Sequence, residues 1–430
     1  MTQSKMVRPL VLLLMTAGAA AAQQADEPAP STSLVSQFFD NDFVDIFAFG
    51  NGTYDTALPL LRGGSGGYGP AWGLSAGGGL TVGHKLKGGS FSLSYRGDYR
   101  HYFSNTYSGG TDQSLSILYS KRLSQHWSFG AQASGGTIVY GGSFYGGVAG
   151  GDTGALTNPL SSQSRFVNSG LNLTYEQTRR LSYTFGGQFF LSNYNYAGAT
   201  NSLGGAGTAA INYRTTARTT IGASYTRTYF TYGQSRGQTS VDGAFLTGSH
   251  IFPSHWTASI SAGVSHTHSQ GTIIEPITIL LGQQLVSGFI IGPYNRTYYA
   301  PSFTLSVSRN VKRSLFTVSG GQGINAGNGT FLASKDQFVS GTLSFTHQLR
   351  NLSFAGAYTR LTSVANTVST QYTMATASVS YGFNIVKYVN GNIRYDFIHY
   401  DNLYQLNGLN ESRFSFGFSF DSKSVPLTLF

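Results

Sequence analysis

The chain has no cysteine, so neither a disulfide framework nor a thiolate metal site can hold it together. Charge is scarce as well: Asp, Glu, Lys and Arg make up 10% of the 430 residues, where a soluble domain typically carries about 25%. So few ionic groups cover a water-facing outer surface poorly. Long apolar runs are also missing. No segment offers about 20 consecutive apolar residues, which excludes a helical membrane bundle. The nearest approach, 272–292, is interrupted by Glu275, Pro276, Gln283 and Gln284. Carboxylates paired for acid–base work are absent, since the 17 Asp and Glu residues are scattered. Disorder is excluded too, because aromatic residues at 14% supply far too much burial.

What the chain has instead is 56 glycines and a persistent alternation. Near the C-terminus, Arg413-Phe414-Ser415-Phe416-Gly417-Phe418-Ser419-Phe420 puts phenylalanine at every second position with Arg, Ser or Gly between. A strand alternates faces with period two, so one face here is wholly aromatic and the other is made mostly of small polar groups. Lipid on one side and a wet lumen on the other satisfy both faces. In a soluble sheet the aromatic face would be an aggregation site. A barrel of such strands also averages to the near-zero mean hydropathy of this chain.

At the N-terminus, Lys5 and Arg8, the apolar run Leu10 to Met15 and the small residues ending in Ala20-Ala21-Ala22 read as a secretory signal peptide over 1–22. Its removal takes two basic residues and leaves the formal charge of +10 still positive. Along the sequence the basic residues form no single patch, and a secreted chain rarely meets nucleic acid, so no nucleic-acid partner is expected. Residues 23–42 read as a periplasmic tail, 43–421 as one transmembrane β-barrel, and 422–430 as a C-terminal extension. Short turns fall near residues 85–88, 121–124, 178–181, 216–219, 251–254, 311–313, 349–351 and 387–390, alternating with longer connections. Bacterial barrels keep short turns on the periplasmic side and close with an even number of strands, so 43–55 is needed as a further strand. The expectation is an all-β, antiparallel up-and-down barrel of about 18 strands, with about 16 as the alternative.

By the same parity Arg96, Asp98, Arg100, Glu176, Arg214, Arg394, Asp396 and Arg413 are expected to line the lumen as pore residues. Two readings stay open: paired charge that keeps the lumen wet, or a slightly cationic pore that favours anionic solutes. Most other inward positions are Ser, Thr, Gly or Ala, which leaves a wide passage in a barrel of this size. Constriction then falls to the loops 140–164 and 268–297. The second is apolar, and either folds into the mouth or extends its neighbouring strands as a hairpin.

Two motifs could carry chemistry. Gly73-Leu74-Ser75-Ala76-Gly77 matches the serine-hydrolase pattern but lies inside an alternating strand, without the strand-to-helix elbow that motif requires. His266-Thr267-His268 could offer two imidazoles on one face, yet no carboxylate or thiolate is placed nearby in sequence to complete a site. Neither a catalytic residue, a metal nor a cofactor is expected, and the chain reads as no enzyme.

On its alternating strands, short basic turns and Phe ladder, the segment 43–421 resembles the porin-like outer-membrane β-barrels of Gram-negative bacteria. Barrels of that size include sugar-selective porins and exopolysaccharide exporters; the likeness is architectural, and no substrate-defining motif of either is present. The resemblance implies an outer-membrane location in the Gram-negative envelope, contact with outer-membrane lipid, and insertion by the barrel-assembly machinery. That machinery reads a final strand of alternating hydrophobics ending in an aromatic residue, which Phe414, Phe416, Phe418 and Phe420 supply. The chain's own end departs from the pattern, with Thr428, Pro426 and Ser424 before Phe430. The function expected is a porin-like channel for passive diffusion of small hydrophilic solutes, weakly anion-preferring. The alternatives are an exporter of a secreted polysaccharide and a non-conducting surface barrel, adhesin or receptor, that binds partners through its loops.

Overall fold

The computed structural model describes residues 42–59, 68–103, 109–139, 163–194, 200–233, 237–281, 284–327, 332–347, 350–363, 371–401, 408–422 and 425–426. The expected signal peptide, nearly all of the tail and almost the whole of the connection 140–164 lie outside them. The strands are β1 (Phe43–Pro59), β2 (Tyr68–Leu86), β3 (Gly89–Tyr102), β4 (Gly110–Arg122), β5 (Trp127–Val139) and β6 (Gln163–Glu176). They continue as β7 (Leu181–Tyr194), β8 (Ser202–Arg214), β9 (Thr219–Tyr232), β10 (Gly237–Ile251), β11 (Trp256–Leu281) and β12 (Gln284–Val311). The last six are β13 (Ser314–Gly327), β14 (Leu332–His347), β15 (Arg350–Ser363), β16 (Gln371–Val386), β17 (Val389–Asp401) and β18 (Leu409–Asp421). Each pairs antiparallel with its sequence neighbour, and β1 pairs with β18, so the sheet closes into an up-and-down barrel of eighteen strands. Among the described residues no helix is long and apolar enough to cross a membrane.

Closure runs from Phe47 opposite Asp421 to Asp55 opposite Arg413, which makes the strand demanded by the even count the partner of the Phe ladder. Beyond β18 the chain still follows β1: the Ser422 N–H donates to the Ile46 carbonyl, and Val425–Pro426 pair with Phe43 and Val44. All eight expected short turns join the strands assigned to them. At the β2–β3 turn Gly88 has φ 78°, a left-handed conformation that glycine adopts without steric cost.

The two faces separate as the alternation requires. On β18 Phe414, Phe416, Phe418 and Phe420 are 45–56% exposed, whereas Arg413 and Ser415, on the other face, are buried. Leu171, Ile260, Leu246, Val339 and Ile393 repeat that outward exposure around the ring. An outer surface of exposed Leu, Ile, Val and Phe is stable only against hydrocarbon, so this is a transmembrane barrel of the outer-membrane type. An aromatic girdle marks the short-turn end: Trp127 packs on Tyr175 at 4.7 Å, Tyr175 on Tyr183 at 6.3 Å, and Trp256 meets Phe316 edge-on at 5.7 Å.

Candidate pore lumen

Inward positions in the short-turn half of the barrel are mostly hydroxyls and glycines, often joined across strands. Thr81 Oγ1 lies 3.1 Å from Ser94 Oγ, Ser90 Oγ 2.9 Å from Ser120 Oγ, and Ser319 Oγ 2.8 Å from Ser340 Oγ. Small side chains that satisfy one another leave the space inside unfilled, and eighteen strands enclose more of it than side chains can fill.

The charged residues gather where the barrel closes. Arg413, buried on β18, donates to Asp55 of β1 and, through Nη2, to Glu411 Oε1 at 2.9 Å. The Tyr400 hydroxyl donates to Glu411 Oε2 at 3.3 Å. On β17 Arg394 grips Asp396 with Nε at 2.8 and 2.9 Å and Nη2 at 2.7 Å. Arg100, 4% exposed, faces inward on β3 beside Tyr102. Arg96 and Asp98 share that face lower down, with the Arg96 guanidinium 4.6 Å from the centre of the Phe49 ring. Glu176 and Arg214 lie apart, exposed at the short-turn mouth. The structure thus brings Arg394, Asp396 and Arg413 into one paired cluster with Asp55 and Glu411, two carboxylates the sequence reading had not singled out. These arginines spend their charge on carboxylates, and their buried pairing costs desolvation that only good geometry repays.

The sequence reading also passed over an inward aromatic stripe. Phe47 and Phe49 share the parity of Asp55 and Asn51, opposite outward Ile46, and their rings stack at 6.4 Å. Room for them comes from β2: a Cβ on Gly79 would stand 2.6 Å from the Phe47 ring. The parity of Asp45, Asn51, Thr53 and Asp55 could have revealed the stripe, had polar residues been used to set the face.

A constriction forms at the long-loop end, and its source was not foreseen. β12 and β13 pair only from Val311 opposite Ser314 up to Phe303 opposite Gln322, although β12 continues to Gln284. Where they part, Gln322 Nε2 donates to the Pro301 carbonyl at 2.6 Å, and Gln322 Oε1 accepts from Gln337 Nε2 at 2.7 Å. Beyond that point β13 and β14 turn inside the barrel. Ala333 packs with the inward-facing Phe190 of β7, Phe230 and Tyr232 of β9 and Val241 of β10, with Ile324 against the cluster. The Ala333 N–H donates to the Tyr232 hydroxyl at 2.7 Å. On the same wall Thr239 Oγ1 and Ser269 Oγ lie 2.7 Å apart, and Ser269 donates to the Tyr294 hydroxyl at 3.4 Å.

For 268–297 the structure selects the hairpin: β11 and β12 stay paired to Leu281 opposite Gln284. Gly73 to Gly77 lie within β2, with no helix after them. His266 and His268 both face outward; the first lies 4.6 Å from the Tyr299 ring and the second 3.4 Å, through Nδ1, from Thr297 Oγ1. Among the described residues no three metal-ligating side chains come together.

No family model matches the chain, and no curated protein does. Solved structures that match include proteins of Pseudomonas, among them a porin and an outer membrane protein, at low identity. A BenF-like porin from Pseudomonas fluorescens Pf-5 shares 12% identity over 90% of this chain and 100% of its own, with a TM-score of 0.43. OccK5 (OpdH) of Pseudomonas aeruginosa shares 11% over 90% and 99%, at 0.42. OccK2 (OpdF) of the same organism, solved in complex with glucuronate, shares 11% over 90% and 100%, also at 0.42.

Proposed function

We propose that the protein is a porin-like channel of the outer membrane through which small hydrophilic solutes diffuse passively, with no catalytic step. One observation carries this: a closed eighteen-strand barrel whose short-turn half is lined by small hydroxyl and glycine positions. The inward-turned end of β13 and β14 supports a narrowing of the passage at the opposite end. A weak anion preference is part of the proposal, and its source shifts. Arg394 and Arg413 are neutralised by carboxylates, so the preference falls to exposed cations at the mouth such as Arg214 and Lys85, where Glu176 and Asp421 oppose them. The stacked Phe47 and Phe49 favour a second reading, a conduit for sugars, because aromatic faces stack on apolar ring faces.

Purified full-length protein in a planar bilayer tests these points together. The expected result is stepwise ohmic conductance, a reversal potential of anion-preferring sign in a salt gradient, and current block by oligosaccharide only if the second reading holds. Folded protein that inserts without conducting would sink the channel, and cation selectivity would sink the mouth argument.

A further inference from the structure

The cations that look scattered along the sequence gather on one rim of the barrel. Seven of the eight short turns carry Lys or Arg within the turn or beside it. Lys121, Arg122, Arg179, Arg180, Lys312 and Arg313 are all exposed there, and Lys87, Arg218 and Lys387 repeat the pattern. Among the described residues none of these forms a salt bridge. The carboxylates at that rim are few and partly engaged. Asp42 accepts from the Lys85 N–H and contacts His84, and Asp421 accepts from Asn390 Nδ2 at 2.7 Å.

The ring sits just beyond the aromatic girdle and is tied to it. The Arg309 guanidinium lies 5.2 Å from the Trp256 ring centre, and Lys387 Nζ lies 5.2 Å from that of Tyr388. Trp and Tyr settle where hydrocarbon gives way to headgroups, so side chains one or two residues further out reach the depth of lipid phosphates. Arginine can grip a phosphate with two parallel N–H bonds, and lysine adds point charge. A zwitterionic lipid brings its own neutralising amine; an anionic one does not. We propose that this rim is a binding belt for anionic phospholipid headgroups of the leaflet it meets. The proposal rests on the membrane-spanning reading of the barrel and not on conduction.

The test uses full-length protein carrying Trp72→Phe, which leaves Trp127 and Trp256 at the girdle as the fluorophores. It is reconstituted in mixed phosphatidylcholine and phosphatidylglycerol bilayers in which one lipid or the other is brominated, so that quenching reports which lipid lies beside the rim. The expected result is a several-fold preference for phosphatidylglycerol that falls to parity when Arg179, Arg180, Lys312 and Arg313 are all replaced by glutamine. Equal quenching by both lipids, or a preference unchanged in the fourfold variant, overturns the belt. Equal quenching with tight binding of poly-glutamate would assign the rim to a soluble polyanion instead. Absence of quenching by either lipid would refute the membrane-spanning reading itself, whereas normal conductance with equal quenching would refute only the belt.

Discussion

Replacing Tyr232 with phenylalanine keeps the ring that packs against Phe190 and Val241 but removes the hydroxyl that receives the Ala333 N–H at 2.7 Å. Ala333 is fully buried, so in the seated arrangement its N–H would have no acceptor and no water. Once the end of β13 and β14 swings away, the same N–H is hydrated. The penalty therefore falls on the seated state alone. Leaving a buried donor unsatisfied costs about 1–3 kcal/mol, which raises the open-to-seated ratio about 5- to 160-fold. The natural chain has no cysteine, so Ala333→Cys introduces a single thiol whose labelling rate by a maleimide reports that ratio. With reseating fast relative to labelling, the Tyr232→Phe background should accelerate modification by that factor and raise the mean single-channel conductance. Equal labelling rates in the two backgrounds would refute the idea that this hydrogen bond seats the end of β13 and β14.

Arg413 lies between two buried carboxylates, so Arg413→Met should cost about 3–5 kcal/mol, seen as a lower denaturant midpoint in the gel shift between folded and unfolded barrel. Adding Asp55→Asn and Glu411→Gln should restore most of the loss; a single variant as stable as the parent would show the cluster to be slack. The partly buried Asp42 carboxylate accepts the Lys85 N–H at 2.7 Å and sits beside His84, which together hold its pKa below the ordinary carboxylate value. A depressed pKa in the folded state stabilises above the unfolded value, near pH 4, and that contribution fades as the pH falls through the folded value. Protection of the Lys85 amide, followed by hydrogen exchange, should thus exceed that of Asp42→Asn at neutral pH and converge with it in acid. A constant gap across the range would contradict this.

Alternation made most of the barrel legible, because outward residues at hydrocarbon depth are mostly apolar and inward ones rarely need be. The same rule concealed the constriction. Ile324 and Ala333 occupy outward-parity positions, and a small or apolar side chain there suits lipid or the inner wall of β7 to β10 equally well. Within β13 the local mark of the place where it parts from β12 is Gln322, a polar side chain at an outward-parity position. Phe47 and Phe49 escaped notice for the complementary reason: they are large apolar side chains facing inward, and the glycine that makes room for Phe47, Gly79, lies on a different strand. Arg394 beside Asp396 was visible as an i, i+2 pair, whereas Asp55 meets Arg413 only through closure. Ion pairs across a seam are set by register, and register between the chain ends is not written in either end alone.

That seam also orders events in time. The pair Asp55 and Arg413 joins residues 358 apart in sequence, while every other strand finds its partner in the next hairpin. One edge of β1 stays unpaired until β18 meets it, so the closing step carries the largest loop entropy of any in the fold. A chain cut short anywhere before β18 would expose two open edges inside a membrane that cannot hydrate them, a lesion that proteolysis would meet before any pore existed.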